Sequence, residues 1–284
     1  MSKREKEWRR VKTLPAMSEV VPFIMVNRSG AQIFVKDSIE TDRLEKYMRE
    51  KQQNGMPNLS LMHIFIAAYV KTVAQRPAID RFIRGQRVWT RNNVEIALTI
   101  KKEMVLESPD TVVKIKLPKT ATLKDVYESL NNAITSYRND PGGDFDDTAK
   151  AFTRLPALLF KLAIHTLKCM DYFNLIPRSL QDLSPFHCSY FITSMGSLGI
   201  PAIYHHLYDF GTCPIFFAFG TKRRAYTLDA EGNIKKSSYV DFSFTLDERI
   251  CDGYYYASAL KYMKALLKNP WRLDEPSEVV PDIK

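Results

Sequence analysis

Val240, Phe242, Phe244 and Leu246 alternate with Asp241, Ser243 and Thr245, and the alternation runs into Asp247-Glu-Arg-Ile-Cys-Asp-Gly253. A period of two places the large apolar side chains on one face of a strand, and that face needs a second layer to cover it. Beyond Gly253 the spacing becomes helical through Leu267, so a strand and a helix able to cover it follow one another across a tight turn. Upstream, Ala225–Leu228 and the loop Asp229-Ala-Glu-Gly-Asn233 supply the other arm of a hairpin. These features call for strands backed by helices, in a chain whose strand partners are distant in sequence.

The remaining pattern agrees with an α+β protein. Asp37–Gln52 carries helical apolar spacing through Ile39, Leu44 and Met48, and Leu59–Gln75 is a stronger helix that Pro77 stops. Val88–Ile100 and Val112–Leu117 read as strands, and Phe191–Thr193 and Pro214–Phe219 as short apolar ones. Thr122 and Asp125 fit a helix start that continues through Val126, Leu130 and Ile134. The expected organisation is a basic arm over residues 1–14, one domain over 15–275 with a helical insertion at about 144–187, and a polar tail over 276–284.

Composition narrows the function classes. With 45% hydrophobic residues in 284 the chain can bury a full core. Four cysteines stand far apart without a C-x-x-C pair, which reads as a reduced, cytoplasmic protein without a zinc knuckle. The opening residues lack the apolar stretch of a signal peptide. The net charge of +9 is partly concentrated in the first 13 residues, where six Lys/Arg face two Glu. Most such arms are solvated, and no nucleic-acid motif accompanies this one, so no nucleic-acid partner is expected. Within the insertion, Leu155–Ile176 has a wide apolar arc, while Lys161, His165, Lys168 and Tyr172 fall on one stripe. Such an arc packs on the same protein or a sister subunit more often than on a partner protein or a membrane surface.

The residues alone give a short catalytic list. P-loop, dinucleotide-binding and H-E-x-x-H patterns are missing, and no metal is expected. Met195-Gly-Ser-Leu-Gly199 lacks the first glycine of a nucleophile elbow and reads as a turn. His205-His206 reads as structural, and Cys251 as a packed thiol rather than an acylated one.

Asp247-Glu-Arg-Ile-Cys-Asp-Gly253 resembles the D-H-R-x-x-D-G signature of dihydrolipoyl acyltransferase catalytic domains, which are related to chloramphenicol acetyltransferase. Phe191-Ile-Thr-Ser-Met-Gly196 through Gly199-Ile200 resembles the family's F-T-I-S-N-L-G-x-x-G-I, and Leu266–Leu273 its ending. The likeness spans most of residues 15–273, is most specific in the last third and departs in the insertion. It implies a two-layer αβ sandwich assembled as a homotrimer with active sites between subunits. It also implies coenzyme A thioesters as substrates, although the chain has no lipoyl attachment module. By position it assigns the oxyanion hydroxyl to Thr193, with Ser194 the alternative, and the loop-holding aspartate to Asp252. The proton-accepting histidine becomes Glu248.

That exchange has a calculable cost. Moving a proton from a thiol near pKa 8.5 to a carboxylate near 4.3 is uphill by about four units, roughly 6 kcal/mol, and imidazole faces about half of that. Burial raises a carboxyl group and closes the gap, whereas pairing with Arg249 or another cation makes Glu248 a structural residue. The sequence therefore admits a transferase with an altered base or a catalytically silent trimer that binds acyl-CoA or a docking partner.

Overall fold

The computed structural model describes residues 7–101, 110–139, 153–228 and 231–283. The first six residues of the arm, positions 144–152 of the insertion and the loop residues 229–230 lie outside them. Nine strands form two sheets among the described residues. A small sheet has the order β1-β4-β3, with β1 Trp8–Arg10, β3 Phe82–Arg84 and β4 Arg87–Arg91. The main sheet has the order β2-β9-β8-β7-β5-β6, with β2 Gln32–Glu40, β5 Asn93–Lys101, β6 Asp110–Pro118, β7 Tyr190–Ser194, β8 Ile215–Leu228 and β9 Ile234–Asp247. β7 runs parallel to both β5 and β8, and the other pairs are antiparallel.

Helices α1 Ala16–Ile24, α2 Asp42–Gln53, α3 Leu61–Gln75, α4 Leu123–Asn139, α5 Ala157–Tyr172, α6 Arg178–Leu183 and α7 Gly253–Lys268 complete the α+β sandwich. The alternating residues of β9 bury Val240, Phe242, Phe244 and Leu246 against the helices, in one core with Phe217 of β8 and Ile64 and Phe65 of α3. α3 is buried nearly all round, as a central helix must be. Its start is fixed by a capping box in which neutral His63 replaces the usual acid: burial pushes the imidazole down to about 4, and its Nδ1 accepts the Ser60 amide at 3.1 Å. Thr122 and Asp125 cap α4 in the expected manner.

Three expectations change. The helical spacing over Asp37–Gln52 conceals a boundary: β2 continues to Glu40, the Thr41 amide bonds the Ser238 carbonyl, and α2 starts at Asp42. Ile39 satisfies a period of two as well as a period of 3.6, so spacing alone merges the elements. Val88–Ile100 is two strands in different sheets, divided at Asn92. Pro214–Phe219 and Ala225–Leu228 are one strand, β8, whose register with β9 shifts between Phe219 and Lys222. Both termini join the fold: β1 pairs with β4, and the tail bonds α3 through the Val280 amide and Arg81 through Asp282.

The opposite face of the main sheet is covered differently. Segment 201–213 crosses it, fastened by the Ser243 hydroxyl to the Ile203 carbonyl and by the Thr245 hydroxyl to the His205 carbonyl. Beneath it Ala97, Phe191 and Phe216 pack with Leu207, Cys188 and Cys213. Gly220 is required at this crossing because a β-carbon there would stand 2.4 Å from the Ala202 amide nitrogen.

Asp80 lies fully buried beside Arg91, Nη1 to Oδ1 3.6 Å, and burial raises its carboxyl to about 6 despite that cation. A folded-state value above the unfolded one gives stability that is present below about pH 4 and lost as the pH rises through about 6. Between pH 4 and pH 7.5 the wild type should therefore lose about 2.4 kcal/mol relative to Asp80→Asn, measured as the change in the difference between their urea unfolding free energies.

Candidate active site

The turn after β9 is built around Asp247. Its carboxylate is wholly buried and held by two buried guanidinium groups. Arg249 donates from Nε to Oδ1 and from Nη2 to Oδ2, both at 2.8 Å, and Arg28 donates from Nε to Oδ2 at 3.2 Å. The remaining guanidinium hydrogens go to carbonyls: Arg249 reaches Met25 and Val26, and Arg28 reaches Tyr208 and Gly211. The Tyr256 hydroxyl of α7 donates to the Asp247 carbonyl at 2.8 Å. One carboxylate thus joins the end of α1, segment 201–213, β9 and α7. A charge this deep is tolerated because both carboxylate oxygens accept two bonds each, from the two guanidinium groups and the Arg249 amide.

Glu248 follows on the outside of this clamp. Its amide bonds the Ala31 carbonyl at 2.9 Å, and its carboxylate is exposed, with no partner among the described residues. The pairing of Glu248 with Arg249 that the sequence allowed is therefore corrected: Asp247 takes that arginine, because two bonds in a dry site outweigh one to a solvated carboxylate. Asp252 caps α7, its Oδ1 accepting the Tyr255 amide at 2.7 Å. Burial pushes the Cys251 thiol well above its usual range, which removes it as a nucleophile.

Thr193 and Ser194 close β7. The pleat puts Thr193 on the face of Phe191 and Ser194 on that of Ile192. Ser194 is engaged with its own turn, its Oγ accepting the Ser197 amide at 3.3 Å and its carbonyl accepting the Ser197 hydroxyl at 2.7 Å. The Thr193 hydroxyl has no partner among the described residues. Thr193 pairs with Ala218, which pairs with Ser243, and Glu248 lies five residues beyond Ser243. That is about 17 Å along the strands and about 10 Å across them, so the two side chains are on the order of 20 Å apart.

A cavity of about 330 Å³ lies behind the clamp, bordered by Arg28, Arg84, Lys168, Asp171, Tyr172 and Arg249. Asp171 belongs to a buried network: Arg84 lies 3.2 Å away, the Gly211 amide donates to Oδ2, and His187 Nε2 is 3.2 Å from Oδ1. Burial opposes its charge, but His187, Arg84 and that amide together hold the carboxyl below its usual range. Ser184 Oγ lies 2.8 Å from the other nitrogen of His187, which reproduces the connectivity of a nucleophilic triad. The order is reversed for catalysis, since the aspartate borders the cavity and the serine does not. The network instead fastens both helices of the insertion to the body. His205 stacks on Phe216 with ring centres 4.2 Å apart and is kept neutral by burial and by His206, as a structural residue.

No group of three or more metal-ligating side chains stands together among the described residues. Sequence reasoning missed Arg28 and the scaffold role of Asp247, since Arg28 carries no local signal for a partner 219 residues away.

No family model and no curated protein sequence matches the chain. Solved structures do match it along nearly its whole length. A probable dihydrolipoamide acetyltransferase from Listeria monocytogenes aligns at a TM-score of 0.59 and 14% identity, over 91% of this chain and 94% of that one. The cubic core of the pyruvate dehydrogenase multienzyme complex aligns at 0.60 and 12%, over 93% of each. A chloramphenicol acetyltransferase aligns at 0.53 and 12%, over 92% and 99%. The fold is the one shared by 2-oxoacid dehydrogenase acyltransferase cores and chloramphenicol acetyltransferase.

The clamp and the exposed carboxylate separate in a stability measurement. Asp247→Ala leaves two buried cations without their anion and should cost about 3–5 kcal/mol of unfolding free energy. Glu248→Gln should stay within about 0.5 kcal/mol of wild type in the same denaturation series.

Proposed function

We propose that the chain is an acyltransferase that moves an acyl group from a coenzyme A thioester to a thiol or hydroxyl acceptor, in a homotrimer whose sites lie between subunits. Glu248 of one subunit takes the acceptor proton, and the Thr193 hydroxyl of the next donates to the oxyanion of the tetrahedral intermediate. Asp252 acts through the loop by capping α7. A single observation carries this reading: both groups lack intramolecular partners among the described residues, yet lie too far apart in one protomer to share a substrate. A neighbouring copy is the simplest source of the missing half.

Two further facts support it. The outer halves of β8 and β9 extend past their sheet neighbours as a two-stranded arm that exposes Tyr226, Leu228 and Ile234, the last at 75%. Such an arm needs a surface to lie on. A structural relative from Azotobacter vinelandii, at a TM-score of 0.59 and 11% identity over 93% of each chain, is described in terms of a serine, a histidine and an asparagine in its catalytic mechanism. Its histidine and asparagine are four residues apart, the separation of Glu248 and Asp252.

The reaction is read from purified protein, acetyl-CoA and a small dithiol acceptor, with the released coenzyme A and the S-acetyl dithiol separated and quantified by chromatography. Glu248→Gln should lower the rate by about 10²–10⁴ and Thr193→Val by about 10²–10³. Co-expressing the two variants in one assembly should restore activity at about a quarter of the interfaces, where both intact residues meet. No restoration overturns the shared site. Absence of turnover in the wild type with coenzyme A binding retained replaces the transferase with a silent acyl-CoA-binding trimer.

A further inference from the structure

The insertion helix α5 is attached at its C-terminal end. Asp171 is buried in the network with Arg84 and His187, and the Tyr172 hydroxyl donates to Gln86 Oε1 at 2.7 Å. From that anchor the helix runs about 22 Å to Ala157. Phe160, Ala163, Leu167 and Met170 are half-buried and turn toward the body. At 3.6 residues per turn Leu158, Leu162 and Cys169 form a separate stripe, exposed up to 78% at Leu158. The neighbouring stripe holds Lys161, His165 and Lys168, all exposed, with Arg154 one turn before the helix. Asp171, the one acid of the helix, is buried.

α1 extends the same surface. Its apolar side faces solvent, with Met17 68% and Ile24 69% exposed and Val20 and Phe23 beside them, while Pro22 faces inward. The Arg87 guanidinium lies 4.7 Å from the Phe23 ring, and Gln86 bonds Tyr172. One β-turn therefore carries the C-terminal ends of both helices. Phe173 and Leu175 continue the apolar surface past α5.

We infer that α5 and α1 form a docking surface for an anionic phospholipid bilayer, with the leucine stripe at the acyl boundary and Lys161, Lys168 and Arg154 among the headgroups. The charge pattern selects this occupant. A second copy packed α5 to α5 would set basic stripe against basic stripe with no exposed acid on that helix to answer it, whereas an anionic leaflet supplies the opposite charge everywhere along the helix. The apolar stripe also borders the basic one, as in helices that lie in an interface plane. Among the described residues no helix is long and apolar enough to cross a membrane, so the association is with the surface.

Flotation of the full-length protein with vesicles tests the assignment. Vesicles containing about a third phosphatidylglycerol should carry the protein at least about tenfold better than pure phosphatidylcholine, with the difference falling as salt is added. The double variant Lys161→Glu with Lys168→Glu should lose about tenfold or more of that binding, and Leu158→Ser with Leu162→Ser should lose it at low salt as well. Sedimentation and far-ultraviolet circular dichroism should show the assembly and helix content of both variants unchanged. Failure of the wild type to float with anionic vesicles overturns the proposal. So does a leucine variant that keeps its lipid binding, or one that changes oligomeric state, which assigns the face to a second copy.

Discussion

The buried carboxylate of Asp247 fixes the end of the sheet where the candidate base emerges. Two guanidinium groups on one carboxylate leave a net positive charge in a dry place, and four backbone carbonyls absorb it. Those carbonyls belong to the end of α1 and to segment 201–213, so neutralising the charge also positions both elements. The interaction is directional as well as electrostatic, because a planar fork matches a carboxylate in one orientation only. Replacing either arginine with lysine keeps the charge and forfeits the geometry. Glu248 sits one peptide bond from this anchor, its backbone held by the Ala31 carbonyl and its side chain left exposed.

The division of labour explains why so much of the turn was readable in sequence and why the rest was not. Alternation in β9 and helical spacing beyond Gly253 are local, and each appears in the structure where the residues place it. The merged reading of β2 and α2 failed where Ile39 fits two periods at once, and the division of β4 from β5 at Asn92 leaves both halves apolar. Arg28 was illegible for a different reason. Its partner lies across the whole chain, and a lone arginine before a serine and a glycine looks like any solvated loop cation. The face of Thr193 against that of Ser194 became decidable only with the pleat and the Ser197 turn in place.

The insertion shows the same contrast between an anchored end and a free surface. Ser184, His187, Asp171 and Arg84 have the chemistry of a catalytic relay, yet their burial and order make them a fastening. Burial pushes His187 down against the pull of Asp171. The carboxylate answers the His187 ring and Arg84 together, each 3.2 Å away. What the network achieves is to hold a helix by one end and leave the other face available, which a purely apolar attachment along its whole length could not do.

Substituting a carboxylate for an imidazole changes what the assembly must supply. An imidazole titrates near neutrality in water and works as a base wherever it is placed, whereas a carboxylate needs desolvation to approach the same proton affinity. The chain by itself leaves Glu248 open to solvent, so in the proposed site the desolvation would come from the surface of a neighbour. The proposed oxyanion donor would come from a neighbour too, since Thr193 stands on the order of 20 Å from Glu248 in the same chain. In the proposed transferase both requirements would be met by one event, the closing of a subunit interface. In a site of this design proton affinity and oxyanion stabilisation rise and fall together with assembly, while a histidine in the same position would tie only the second to it.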